Sequence, residues 1–228
     1  MPPLSLRLQA ALDAAGPCAL LADVCCDHAL LALAAALRGV AQRAVAVELR
    51  GPPLLQARRS LVEAGLSGRV LLLRARGLSA LRSAEVVVVA GVGGDLAGAL
   101  LAEAAQAGAR RVVVQPNRHG REVRLAARKA GFHLEAERVI DEDRRLHLLL
   151  AFTRREGPDP AYGRTADELE LFLGPLLLAS GDEAAQRFVH EEEQRLRKLA
   201  AHQPELAALA RAMDERRLEL AQRTLAAP

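Results

Sequence analysis

The stretch "LADVCCDHALL", residues 21–31, runs from an apolar segment through a tight turn into the start of a helix. In a nucleotide-binding α/β protein that turn is usually rich in glycine. Here Cys25 and Cys26 take its place, with Asp23 before them and Asp27 and His28 after. Three readings compete: a metal site, a redox pair, or a cofactor loop whose glycines have been replaced. A structural zinc needs four ligands, usually from two separated clusters. This chain has only Cys18 besides the pair, and no C-x-x-C. Adjacent cysteines form strained bridges. The stretch is therefore read as a cofactor loop in which small residues stand in for glycine and serine, with no metal.

The flanking sequence supports that reading. Leu4, Leu8 and Leu12 recur every four positions in the first 16 residues, an amphipathic helix stopped by Gly16-Pro17. A regular alternation follows. The segments "CALLADVC", "RAVAVEL", "RVLLLRA", "AEVVVVAGV" and "RRVVVQP" read as strands, and helical stretches are interleaved with them. "FHLEAERVIDED" and "RLHLLLAFTR" then form a hairpin. Five β-α units and a hairpin predict a mainly parallel, Rossmann-like sheet with one antiparallel strand near an edge. Ligand binds beyond the carboxyl ends of the central strands in such a sheet, which is where the opening stretch lies.

"REGPDPAYGR", residues 155–164, is a polar Pro/Gly connector. Beyond it the pattern is helical. "DELELFLGPLLLASG" is read as one helix. Phe188, Val189, Leu196 and Leu199 then share one face, and Leu206, Leu209, Met213 and Leu220 form a heptad-like stripe. The expected organisation is a cofactor-binding domain over 1–154 and a coiled-coil-like helical hairpin domain over 155–228.

Composition narrows the functional class. Of 228 residues 51% are hydrophobic but only 2% aromatic, so the core is aliphatic and few rings are left for a base-stacking platform for single strands. The net charge of +3 is small, so any basic surface must be local. Three cysteines do not make a disulfide framework. The N-terminus lacks the pattern of a signal peptide, and no charge-free apolar run reaches the length of a membrane span. The expectation is a cytoplasmic protein without membrane contact, a monomer or weak dimer.

Glu48, at the end of the second strand, is either a solvated strand-end glutamate or the acidic residue that a ribose diol requires, and the surrounding alternation favours the ribose. There is no G-x-G-x-x-G, and a pyrophosphate needs close backbone approach at a helix start. S-adenosylmethionine carries no phosphate and tolerates "DVCCDH", so the residues point to a methyltransferase. "AGVGG", residues 90–94, allows close approach at the tip of the fourth strand through Gly91 and Gly93. "QPN", residues 115–117, ends the fifth strand, where Asn117 either caps the next helix or meets a base edge. Arg121, Arg124 and Arg128 are spaced for one helix face, with Arg118 and Lys129 beside them, which is either a phosphate-contacting surface or a solvated face.

Together these motifs resemble the bacterial tRNA (adenine(22)-N1)-methyltransferase family. Its first motif is similar to "ADIGSDHAYLP", which stands here as "ADVCCDHALLA", residues 22–32. Its "AGMGG" stands as "AGVGG", its "QPN" is unchanged, and "FLGPLLL" is also similar. The resemblance runs from about residue 4 to the end. It implies a Rossmann-like class I methyltransferase with a helical C-terminal domain, S-adenosylmethionine as cofactor and tRNA as partner. It implies cofactor contacts at Asp23, Cys25, Cys26, Glu48, Gly77 and Leu78 of "RGL", Gly91 and Gly93. Asp27 matches an acidic residue that the family keeps next to the cofactor, and Asn117 matches the asparagine of its "QPN". On the chemistry of N1 methylation these two are expected to act on the adenine, and the helix-face spacing puts Arg118, Arg121, Arg124 and Arg128 on the RNA. The departures are Cys25 for glycine, Cys26 for serine, Leu30 for an aromatic residue and Ala32 for proline. Two other readings keep the fold: a tRNA-binding protein impaired in catalysis, and a methyltransferase with another substrate.

Overall fold

The computed structural model describes residues 3–81, 83–162 and 168–215. The chain divides into two compact units, Met1–Ala161 and Tyr162–Pro228.

The first unit is built on a seven-stranded sheet. Its strands are β1 (Cys18–Val24), β2 (Ala41–Glu48), β3 (Val70–Arg74), β4 (Val86–Val92), β5 (Arg111–Pro116), β6 (Phe132–Glu142) and β7 (Arg145–Arg154). They lie in the order β3-β2-β1-β4-β5-β7-β6. The first five pair in parallel. β7 runs antiparallel to both β5 and β6, inserted between them as the returning arm of the last hairpin. This is the mainly parallel sheet expected from the alternation, with β7 as its single reversed strand. The order reverses between β1 and β4, so a crevice opens at their carboxyl ends.

Helix α1 (Leu6–Ala15) is capped by the Ser5 hydroxyl, which accepts from the Leu8 N–H at 3.5 Å, and it ends at Gly16. Its buried Ala11 and Leu12 pack with Leu21, Val86, Val88 and Val113 of the central strands. Helices α2 (Leu30–Leu37) and α3 (Gly51–Glu63) continue that layer, where Leu33 and Ala36 meet Ala44, Ala46, Ala57 and Leu61. Each buried leucine or valine contributes roughly 1.5–3 kcal/mol, and small alanines let the helices approach closely. The two-residue period of β4 turns Val87 and Val89, both fully buried, to the other face. There α4 (Gly94–Gln106) and α5 (Gly120–Lys129) pack together.

One connection departs from expectation. β3 reaches β4 through turns, with no helix among the described residues of that segment, so four β-α units are present rather than five.

The second unit is helical. The stretch read as one helix is two, α6 (Glu168–Leu173) and α7 (Pro175–Leu178). Pro175 disfavours helical geometry in the residue before it, and Gly174 adopts φ 102° there. Helix α8 (Glu183–Ala200) is capped by Asp182, whose carboxylate accepts the Ala185 N–H at 2.9 Å. A 3-10 turn at Pro204–Leu206 leads into a further helix, α9, whose described residues are 207–215. Leu169, Leu173, Leu196 and Met213 form the buried cluster, with Val189, Leu206 and Leu209 packed against it. Leu220 lies outside the described residues. No helix among them is long and apolar enough to cross a membrane.

Candidate active site

The loop after β1 is held by backbone geometry that its side chains would not choose. Cys25, Asp27 and Ala29 have φ of 59°, 50° and 57°. Left-handed geometry costs an L-residue roughly 1–2 kcal/mol, which is why glycine is the ordinary occupant. The loop keeps this shape through partners. The Cys26 N–H donates to the Val47 carbonyl at 3.1 Å, and the Ala29 N–H to the Cys26 carbonyl at 2.8 Å. The Asp27 N–H donates to Glu48 Oε2 at 3.0 Å, which ties the β1 loop to the tip of β2.

Asp23 is the penultimate residue of β1, with 4% of its surface exposed. Its Oδ2 accepts the Ala32 N–H at 3.1 Å, one of the donors a helix leaves free in its first turn. Burial pushes its carboxyl up to about 7; the Ala32 N–H works against that rise, and the neighbouring Glu48 charge adds to it. Glu48 goes the other way. Burial alone would raise it, but the Arg50 N–H, the Arg50 guanidinium and the Asp27 N–H all favour the anion, and its carboxyl is held below the ordinary range. Two acids on adjacent strand tips are thus set apart by their partners.

The thiols of Cys25 and Cys26 are pushed up, first by burial and then by the charges of Glu48 and Asp23. A thiol is reactive, or a metal ligand, as its thiolate. Burial and the neighbouring carboxylates work against that form at both positions. Among the described residues no group of three metal-ligating side chains is assembled.

These residues open onto a cleft of about 720 Å³ at the carboxyl edge of the sheet. Asp23, Cys25, Cys26, Asp27, Glu48, Gly91 and Asn117 all line it, so seven of the candidate cofactor and catalytic residues come together there. Gly91 sits at a register shift between β4 and β5, with φ 76°. Its carbonyl accepts Asn117 Nδ2 at 2.8 Å, and the Val92 carbonyl accepts the Asn117 N–H at 2.8 Å. Asn117 therefore staples the tips of β4 and β5. It does not cap α5, whose N-cap is His119 with φ 67° and no side-chain cap.

Gly77 and Leu78 lie elsewhere. The Glu103 carboxylate of α4 accepts the Leu78 N–H at 2.6 Å, and a Cβ on Gly77 would collide with that carboxylate. Neither residue lines the cleft, and nor does Gly93, the N-cap of α4. Gly94 is the tightest glycine of "AGVGG": a Cβ there would stand 2.5 Å from the His119 Cβ.

The arginine face of α5 is corrected in one position. Arg124 is 1% exposed, and its Nε meets Glu137 Oε1 of β6 at 2.6 Å. A carboxylate with no exposed surface requires a cation, so Arg124 turns inward and is withdrawn from RNA. Glu137 in the middle of a strand was the available signal. Arg118 and Arg128 are exposed and Arg121 is half-buried.

Two cations of the cleft were not singled out by sequence. Arg7 of α1 donates to Gln115 Oε1 at 3.1 Å and pairs with Glu142 at 3.4 Å. Arg50 spans Glu48 (3.1 Å) and Asp27 (3.0 Å). Neither belongs to a recognisable motif. Leu49 and Leu96, 58% and 44% exposed, offer apolar surface at the same cleft in place of aromatic rings.

A parallel sheet in this strand order, with an ionised glutamate at the β2 tip and a cleft across the β1 and β4 ends, defines a Rossmann-like class I methyltransferase. The chain belongs to the tRNA (adenine(22)-N(1))-methyltransferase family, whose model matches residues 21–222. The tRNA (adenine(22)-N(1))-methyltransferase of Bacillus subtilis (strain 168) is 30% identical over 179 residues, covering 76% of this chain and 74% of the relative. The crystal structure of the B. subtilis m1A22 tRNA methyltransferase TrmK superposes with a TM-score of 0.85 at 26% identity, covering 93% of this chain and 98% of that one. M. capricolum TrmK, solved with S-adenosyl-homocysteine, shares the fold with a TM-score of 0.79 at 19% identity, over 96% and 98% of the two chains. The family, fold class and activity read from the sequence agree with these findings, and the expected cofactor is in keeping with the S-adenosyl-homocysteine held by the M. capricolum protein.

Proposed function

We propose that this chain transfers the methyl group of S-adenosylmethionine to N1 of adenine 22 in tRNA, and that the first unit holds the cofactor while the second serves the tRNA. The observation that carries the reading is the convergence of Glu48, Asp27 and Asn117 on one cleft at the switch point of the sheet.

The residues present fit the cofactor. The cleft volume lies in the range of small-molecule sites. Glu48 is ionised at the β2 tip, as a ribose acceptor must be, while Asp23, Cys25, Cys26 and Gly91 wall the loop end. When bound, S-adenosylmethionine supplies an electrophilic methyl on a sulfonium.

Adenine N1 is already a lone-pair nucleophile, so no strong base is needed, and positioning supplies much of the acceleration. N1 lies on the pairing edge, so the target nucleotide must be unpaired or turned out of its helix. Asn117 gives one of its two amide N–H groups to the Gly91 carbonyl, which orients the amide, and its Oδ1 accepts from the exocyclic amine. The adenine gains positive charge as the methyl arrives, and the Asp27 carboxylate stabilises that charge. Arg118, Arg121 and Arg128 contact phosphates outside the cleft, and a tRNA substrate is in keeping with a cytoplasmic enzyme.

Calorimetry with S-adenosylmethionine, followed by methylation of tRNA transcripts carrying A or G at position 22, tests the proposal. The expected result is saturable cofactor binding and methylation of the A22 transcript alone. No binding at millimolar cofactor, or equal methylation of both transcripts, overturns it.

A further inference from the structure

Arg50 stands at the mouth of the cleft with its guanidinium divided between two carboxylates. Nε donates to Glu48 Oε1 at 3.1 Å and Nη2 to Asp27 Oδ1 at 3.0 Å. Its backbone N–H donates to the same Oε1 at 2.9 Å, and Glu48 Oε2 already accepts the Asp27 N–H. Each carboxylate oxygen has about two acceptor sites. A ribose diol brings two donors, and the three bonds in place leave Glu48 short of room for both. The bond from Arg50 Nε is the one made by a mobile side chain, so it is the one that gives way.

Asp27 has a matching conflict. A carboxylate held against a guanidinium at 3.0 Å offers little field to a base that is becoming positive. The side chains of Arg50 and Asp27 are 65% and 53% exposed, and ion pairs this exposed are weak. The same exposure puts Arg50 in reach of an anion arriving from solvent. The planar guanidinium fork suits phosphate oxygens in pairs.

We propose that Arg50 is a phosphate-binding switch: it holds Asp27 paired in the free enzyme and leaves it for a phosphate of the bound tRNA, so that substrate binding uncovers the carboxylate that acts on the adenine. This rests on the function proposed above. The oxyanion could also be the cofactor's own amino-acid carboxylate, and the experiment separates the two.

The experiment compares the full-length wild type with Arg50→Ala and Arg50→Lys. It reads tRNA affinity by fluorescence anisotropy across a salt series, S-adenosylmethionine affinity by calorimetry, and steady-state methylation. For Arg50→Ala the tRNA Kd and KM rise about tenfold, and the slope of log affinity against log salt shrinks by about one phosphate contact. Its cofactor Kd does not rise, because the Nε bond that competes with the ribose at Glu48 is gone, and its kcat does not fall, because Asp27 is then permanently uncovered. Arg50→Lys, which keeps the charge without the fork, recovers part of the tRNA affinity. Loss of kcat at unchanged tRNA affinity overturns the proposal, because Arg50 would then be needed beside Asp27 during chemistry. A tenfold rise in cofactor Kd at unchanged tRNA affinity also overturns it, in favour of the cofactor's carboxylate. A wild type that binds tRNA but transfers no methyl sinks the function reading alone, since the binding comparison still decides whether Arg50 grips phosphate.

Discussion

Glu48 Oε2 accepts the backbone N–H of Asp27 at 3.0 Å. The acid expected to hold a ribose thus also fixes the loop that carries the acid expected to face the adenine. Glu48→Gln keeps the shape and removes the charge. Cofactor affinity should fall about tenfold to a hundredfold, as for loss of a charged acceptor. Its stability signature is acid-dependent. The folded-state carboxyl lies below the ordinary value of 4.5, so its contribution is present above that value and is lost as pH falls through the folded one. Denaturant titrations at several pH values should show wild type and variant converging in acid; a constant gap would rule out the ionic role.

Asp27→Asn should separate binding from chemistry. The amide still fills the loop and still accepts hydrogen bonds, but it offers no charge to the developing adenine cation. The expected result is a kcat lower by about a hundredfold, with cofactor Kd within about threefold of wild type. Full-rate methylation of an A22 transcript would remove Asp27 from the mechanism.

The sheet was legible because parallel strands buried on both faces read as unbroken runs such as "VVVV" at 86–89, each ending in a turn signal. The strand-tip residues were legible for the same reason: Asp23, Glu48, Gly91 and Asn117 mark where apolar runs stop, and all four line the cleft. Side-chain direction on a surface helix was not. Arg121, Arg124 and Arg128 share a spacing, yet only the pairing of Arg124 with a buried glutamate from β6 decides which way that side chain turns. Arg50 escaped because one of its two carboxylate partners, Asp27, lies 23 positions away in the chain, and no local pattern carries that.

Cys25→Gly tests the cost of the altered loop. Residue 25 sits at φ 59°, where glycine is unstrained, and removing the side chain also widens the cleft. The relief is about 1 kcal/mol, which for a chain of this size raises the Tm by roughly 2–4 °C. Cofactor affinity should hold or improve. A lower Tm would show that the Cys25 side chain contributes more by packing than its backbone strain takes away.

Asp23 gives a pH dependence of the opposite sign to Glu48. Its carboxyl is raised from an ordinary 3.8 to about 7, chiefly by burial. Its contribution to stability is therefore fully present below 3.8 and is lost as pH climbs toward 7. Asp23→Asn keeps an acceptor for the Ala32 N–H and cannot ionise. The variant should gain on wild type across that interval and run parallel to it above. Parallel curves throughout would mean that Asp23 titrates normally.

Arg124→Ala and Arg128→Ala divide the α5 arginines by role. Arg124 is buried against a Glu137 carboxylate with no exposed surface, and removing one partner of such a pair leaves a charge stranded in the interior, at a cost of about 3–5 kcal/mol. Arg128 is exposed near the end of the same helix, where truncation changes stability by about 0.5 kcal/mol or less. For tRNA the order reverses. Arg128→Ala should weaken binding and reduce its salt dependence, whereas folded Arg124→Ala should bind within about twofold of wild type. Chemical denaturation paired with anisotropy on the same preparations reads both axes, and an Arg124 variant that is stable but binds tRNA poorly would return that residue to the RNA face.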